Sequence, residues 1–376
     1  MEEKIDQLES IGYAAGTEVA GEDSNVTAHS RKRAYQGLNL YVSGHAPEAI
    51  LMDMSGEQIH RWSLPYKQVE PNASVSEMER KVYLDFWRRA HLFENGDLLA
   101  VFEGHALIKL DAQSNLKWVL RDRVHHDFQV DADGRIIVLN RKARVIPRIK
   151  KKEPVLEDFI SVLSPEGEEL ERVSILECFE NSEFAAYLDQ INTDGDLLHT
   201  NTLEIVDHRL ADQLPGVEAG NILISCLFLN SIAIVDLESK KVVWAYKQDW
   251  VWQHQPTVLD NGNLLMLDNL GGDPRFGKSR VLEFDPVNGE VSWAYLGEES
   301  NPFETRTCGS CQRLPNGNTL ITESDNGRAI EVDSEGKIVW EFLNPNRTGE
   351  NNQLVATLFE VIRLAPDFPL DWTENE

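Results

Sequence analysis

"CQRLPNGNTLITESDNGRAIEVDSEGKIVWEF", residues 311–342, runs four short apolar stretches through three turns. Gly317, Gly327 and Gly336 each close a polar tract, the chemistry of tight hairpin turns that need a left-handed residue. Alternation between the turns gives every strand one core-facing side. A strand, a hairpin, a second hairpin and a closing tryptophan make the grammar of one propeller blade.

Working outward, the same unit recurs in "HLFENGDLLAVFEGHALIKLDAQSNLKWVL" (91–120), "HHDFQVDADGRIIVLNRK" (125–142) and "HQPTVLDNGNLLMLDN" (254–269). Trp118, Trp244, Trp293 and Trp340 end the fuller copies, in phase with outer strands, so their role is blade packing. A first unit ends near Trp62 and a fourth begins near His199. Six units predict an all-β, six-bladed β-propeller with four-stranded blades over residues 35–376. Residues 353–364 supply the strand that closes the ring, and residues 1–34 form an N-terminal arm. Loop or helical insertions gather on one rim, with "VLEDFISVL" (155–163) or "SEFAAYLDQ" (182–190) as short helices.

The chain has 376 residues and a formal charge of −27, which repels nucleic acid and anionic membranes. No stretch reaches the roughly 20 apolar residues needed to span a bilayer. The acidic opening lacks secretory character, so a cytoplasmic location is expected. Four cysteines are too few for a disulfide scaffold. Cys308 and Cys311 form a single CxxC, read as free thiols. The basic run at 148–154 reads as a solvated loop. The arm offers a route to a homo-oligomer.

His126 and His254 both lie eight residues before their turn glycines, Gly134 and Gly262. His199 begins the fourth unit, Arg88 holds the matching position in the second, and Gly309 holds it in the sixth. First strands of blades line the central channel, so these positions converge at its mouth. His125 alternates to the other strand face and reads as structural. Trp250 and Trp252 lie outside the phase of the outer strands, beside His254, where either is placed to stack on an aromatic substrate.

These features resemble the bacterial arylsulfotransferases, six-bladed propellers that move a sulfuryl group between phenols without a nucleotide sulfate donor. The resemblance rests on "SRKRAYQGLNLYVSGHAPEAILMDMSGEQIHRW" (30–62), "HHDFQVDADG" (125–134), "HTNTLEIV" (199–206) and "WQHQPTVLDNGNLLMLDN" (252–269). It implies that His254 is the nucleophile, that His199 and His126 serve as acid, base or oxyanion donors, and that Asn201 is an orienting amide. A neutral imidazole can attack sulfur, splitting a hard transfer into two easier ones. No cofactor is needed for that chemistry.

The chain departs from the family at a site residue. The resemblance places an arginine on the strand after the HxN step, and Ser225, Cys226 and Leu227 stand there instead. Arg88, Arg89 and Arg306 are the candidate replacements for gripping the oxyanion. The missing guanidinium keeps two other readings open. In one, His126, His199 and His254, with His91 or His105, bind a divalent transition metal. In the other, the propeller binds partners on its rim and catalyses nothing. The expected ligand in the channel mouth is a small aromatic or otherwise activated molecule.

Overall fold

The computed structural model describes residues 14–72, 85–191, 195–275 and 277–375. Its strands end where the turn chemistry says they should. Gly134, Gly262 and Gly317 take φ of 80°, 81° and 87° at the tips of first hairpins, a conformation that other residues adopt only under strain. Between such turns the chain forms antiparallel sheets, and the architecture is a six-bladed β-propeller with four-stranded blades.

Residues 122–296 make one compact unit, which carries blades three to five. Blade three is Val124–Val130, Ile136–Val145, Pro154–Leu163 and Glu169–Ser174; blade four is Thr200–Ile205, Ile222–Cys226, Ser231–Asp236 and Lys241–Tyr246. Blade five is His254–Val258, Leu264–Asp268, Arg280–Phe284 and Val291–Tyr295. Ile137, Leu139, Ile160, Leu203, Ile224 and Ala233 pack blade three on blade four, and Leu223, Ile232, Met266 and Phe284 pack blade four on blade five. Burial of these faces drives the stacking.

Residues 12–121 and 297–376 make a second unit with blades one, two and six. In blade one the C-terminal strand Leu358–Leu364 pairs antiparallel with Leu38–Ser43, so the two ends of the chain share a sheet. Leu354–Val355 pairs separately, with Arg347–Thr348. Part of the arm, Asn25–His29, is a fifth strand on blade six, paired with Ile338–Leu343. Residues 1–13 of that arm lie outside the described residues. Trp62 and Trp340 are fully buried, and their indole N–H groups donate to the carbonyls of Gly96 and Met54 at 3.0 Å, joining a fourth strand to a turn of another blade. Trp118, Trp244 and Trp293 stand on the corresponding outer strands of their blades.

One of the two expectations about short helices is corrected. "VLEDFISVL" is strand: Pro154–Leu163 pairs with Ile136–Val145 along its whole length, and ten cross-strand partners outweigh the local propensity. "SEFAAYLDQ" gives a 3-10 segment, Ala185–Gln190. The α-helix of this insertion is Ile175–Glu180, started by Ser174, whose hydroxyl accepts the Glu177 N–H at 3.1 Å. Among the described residues no helix is long and apolar enough to cross a membrane.

Candidate functional site

The first strands of blades three, four and five all break register at their starts. In blade three the ladder passes from Val124 opposite Asn140 to Phe128 opposite Val138, leaving His125, His126 and Asp127 across from Leu139 alone. Such a bulge abolishes the two-residue period. His126 turns left-handed at φ 55°, and its Nδ1 comes within 2.8 Å of Nδ1 of His125. The expectation that His125 faces away is therefore corrected: both rings sit buried in one cluster.

Blade four adds the next ring. Counting back four residues from Val130, Ile205 and Val258, each paired with the first residue after its turn, gives His126, Asn201 and His254. Asn201, not His199, holds the equivalent register. His199 reaches the cluster from two residues earlier, at φ 50°, and its ring stands edge-on to His126 with centroids 4.8 Å apart. Its other flank meets Phe228 at 5.3 Å.

Buried carboxylates fix His199. Its Nδ1 lies 2.7 Å from Oδ2 of Asp196, and its backbone N–H donates to Oδ1 at 3.1 Å. Burial pushes the imidazole toward neutrality, but the charge and hydrogen bond of Asp196 win and hold its proton above the usual histidine range. Burial opposes ionisation of Asp196 too, and the His199 partner nonetheless keeps that carboxyl below its ordinary value. Nearby Asp158 accepts the Thr200 N–H at 2.7 Å and stands 3.6 Å from Nε2 of His125. Burial, reinforced by the Asp196 charge, pushes Asp158 up to about 7. Burial, then Arg141 and His199, keep His125 neutral far below its usual value.

Blade five presents His254 on a braced loop. Asp268 accepts the backbone N–H groups of Val251 and Gly271 at 2.8 and 3.0 Å and the Arg280 Nε–H at 2.7 Å. Asn230, left-handed at φ 47°, accepts the Trp250 indole N–H on its carbonyl at 2.7 Å and the Trp252 backbone N–H on its side chain at 3.0 Å. That arrangement separates the two tryptophans: Trp250 is core, while Trp252 is 40% exposed beside the site. The His254 ring is buried, with Nδ1 at 3.0 Å from the Trp252 carbonyl and 2.8 Å from Oδ1 of Asn269. A backbone carbonyl only accepts, so Nδ1 carries the proton and the lone pair of the neutral ring is on Nε2.

The position of the absent arginine is occupied by glue. Ser225 donates to the Gln253 carbonyl at 3.1 Å, Asn201 Nδ2 donates to the same oxygen at 2.9 Å, and the buried Gln253 side chain donates to the carbonyls of Cys226 and Ser231. Left-handed, non-glycine residues gather here: His126, His199, Trp252 and Gln255 at 49°. Each costs on the order of 1–3 kcal/mol, and strain of this kind concentrates where side chains must be aimed.

The other expected residues belong to the second unit. Arg89 is ion-paired with Glu360 at 3.0 Å, Arg88 is buried with its guanidinium 5.4 Å from the Phe359 ring, and Arg306 is an exposed partner of Glu304. Cys308 and Cys311 are buried and form no disulfide, and burial pushes Cys308 up to about 11. His91 packs against Phe93 and is lowered to about 4 by burial, Arg89 and Lys109; His105 packs against Tyr66. In the basic run, Arg148 holds Glu180 through two hydrogen bonds. Among the described residues, His126, His199 and His254 do not bring three ligand atoms within 4.8 Å of one another. Sequence reading missed Asp158, Asp196, Asn269 and Arg141, which sit inside strands or loops without a motif of their own.

Three comparisons bear on this geometry. Residues 89–345 match the sequence model of a family described as arylsulfotransferase (ASST). Curated protein sequences return no significant match. A crystal structure of a protein of unknown function from Bacteroides caccae superimposes with a TM-score of 0.53 at 12% identity, covering 86% of this chain and 98% of that one. A streptogramin B lyase structure gives 0.49 at 12% identity, covering 92% of this chain and 96% of that one. At such identity the likeness concerns the fold alone.

Proposed function

We propose, from the premise that the chain belongs to the arylsulfotransferase family, that it transfers a sulfuryl group from an aryl sulfate to a phenolic acceptor through a sulfohistidine on His254. The observation that carries this reading is the pinned tautomer of His254, whose Nδ1–H is spent on the Trp252 carbonyl and Asn269. The nucleophilic lone pair then belongs to Nε2.

In the first half-reaction Nε2 attacks sulfur, the N–S bond forms, and the S–O bond to the aryl group breaks. The departing phenolate takes a proton from His199, whose hold on that proton the Asp196 charge strengthens. In the second half the acceptor phenol returns its proton to His199, its oxygen attacks sulfur, and the N–S bond breaks. His126, edge-on to His199, and the Asn201 amide orient the reacting group. Trp252 offers an exposed ring for the substrate's aromatic face. The chemistry draws on no nucleotide sulfate and no metal.

The test is release of 4-nitrophenol from 4-nitrophenyl sulfate with a phenol acceptor. Release that depends on acceptor, disappears in His254→Ala and survives dialysis against a chelator supports the proposal. Absence of release, or release that a chelator abolishes, contradicts it.

A further inference from the structure

The family's arginine is missing from blade four, yet blade three carries a guanidinium that no motif announced. Arg141 lies in the second strand of that blade, Ile136–Val145, and is 3% exposed. Its cross-strand partner is Asp158. Directly paired residues project from the same face of a sheet, so Arg141 leaves the strand on the side where Asp158 meets His125 and the Thr200 N–H. That side is the one on which the histidine cluster is built. The positive charge of Arg141 disfavours the protonated forms of His125 and His199 and favours the ionised form of Asp196.

We propose that Arg141 is the oxyanion ligand of this site, gripping the sulfonate oxygens from blade three where Ser225 and Cys226 leave blade four without a cation. Guanidinium stays charged at every accessible pH, and its planar fork matches two oxygens of a tetrahedral anion at once. Its burial matters as well, because a charge held away from water attracts an anion more strongly than one of the exposed arginines on the rim. The identity of the anion as a sulfuryl group rests on the function proposed above, while the anion site itself does not. A relocation of this kind is chemically plain: what the transition state needs is a fixed positive charge at the sulfonate, and the strand that delivers it is immaterial.

The experiment measures inorganic sulfate binding by calorimetry, with 4-nitrophenyl sulfate turnover alongside, for the wild type, Arg141→Gln and Arg141→Lys. The wild type is expected to bind sulfate, Arg141→Gln to lose at least about tenfold in affinity while still unfolding cooperatively, and Arg141→Lys to fall between, keeping the charge but losing the fork. If Arg141→Gln does not fold, Arg141→Lys decides: unchanged sulfate affinity overturns the proposal. So does a folded Arg141→Gln that binds sulfate as the wild type does, or a wild type that binds none. Sulfate binding that depends on Arg141 in a protein that releases no 4-nitrophenol leaves the anion site standing and removes the sulfuryl-transfer reading. Turnover with the wild-type kcat/KM in Arg141→Gln does the reverse.

Discussion

Nδ1 of His254 lies 2.8 Å from Oδ1 of the fully buried Asn269, across the start of blade five. Together with the Trp252 carbonyl at 3.0 Å, this contact decides which ring nitrogen carries the proton. Asn269→Leu removes one of the two acceptors and lets the ring swing. Turnover of 4-nitrophenyl sulfate should fall on the order of 10²-fold, chiefly in kcat, because misplacement of a reacting group by about 1 Å costs that much. A variant that folds and keeps its kcat would show that Asn269 does not orient the nucleophile.

Asp196 and His199 form the second decisive pair. Asp196→Asn retains an acceptor for the His199 ring but removes the charge that raises its proton affinity. Without that charge the imidazole loses its proton at lower pH, and the alkaline limb of the kcat/KM profile should move to lower pH. At pH 8 the loss should reach roughly 10²-fold, the low end of what a general acid contributes. A structural role would reduce stability and leave that limb in place.

Asp158 gives a prediction about stability. In the unfolded chain its carboxyl loses a proton near 3.8, whereas in the fold burial and the Asp196 charge hold the proton to about 7. Between those values the native state binds more protons than the unfolded state, so this group makes the protein less stable as pH rises. Asp158→Asn removes the effect and keeps an acceptor for the Thr200 N–H. In urea unfolding, the stability of the variant relative to the wild type should increase from pH 4 to 7 and level off above. A difference independent of pH would contradict the assignment.

Trp252 is exposed and left-handed, so its replacement must tolerate φ of 61°. Trp252→Asn meets that condition. Stability should change by about 0.5 kcal/mol or less, as for other surface sites. KM for aryl sulfates should rise up to about tenfold, the equivalent of one aromatic contact. An unchanged KM in steady-state assays would remove Trp252 from the substrate site.

The blades were legible in the sequence because turn glycines recur at fixed distances from alternating strands. Gly134, Gly262 and Gly317 mark the first hairpins of three blades, and His126 and His254 hold one register because each lies eight residues before its glycine. What escaped reading came from broken periodicity. His125 faces the cluster only because three residues oppose Leu139, and a bulge leaves no trace in an alternating pattern. The insertion between blades three and four hid that Asn201, and not His199, shares the register of His254. Asp196 lies within that insertion, and Asp158 and Arg141 lie within a ladder whose first partner strand was read as helix. Their meeting depends on pairing between distant segments, which local spacing does not encode. Trp250 and Trp252 were told apart by Asn230, a residue from another blade.

The central claim is a covalent intermediate on one nitrogen of one residue. Mixing the protein with 4-nitrophenyl sulfate without acceptor, quenching, and mapping the peptides by mass spectrometry tests it most directly. The account predicts a burst of 4-nitrophenol matching the protein concentration, with one sulfuryl group on the peptide that contains His254. No burst, or a burst that persists in a folded His254→Ala variant, would contradict it.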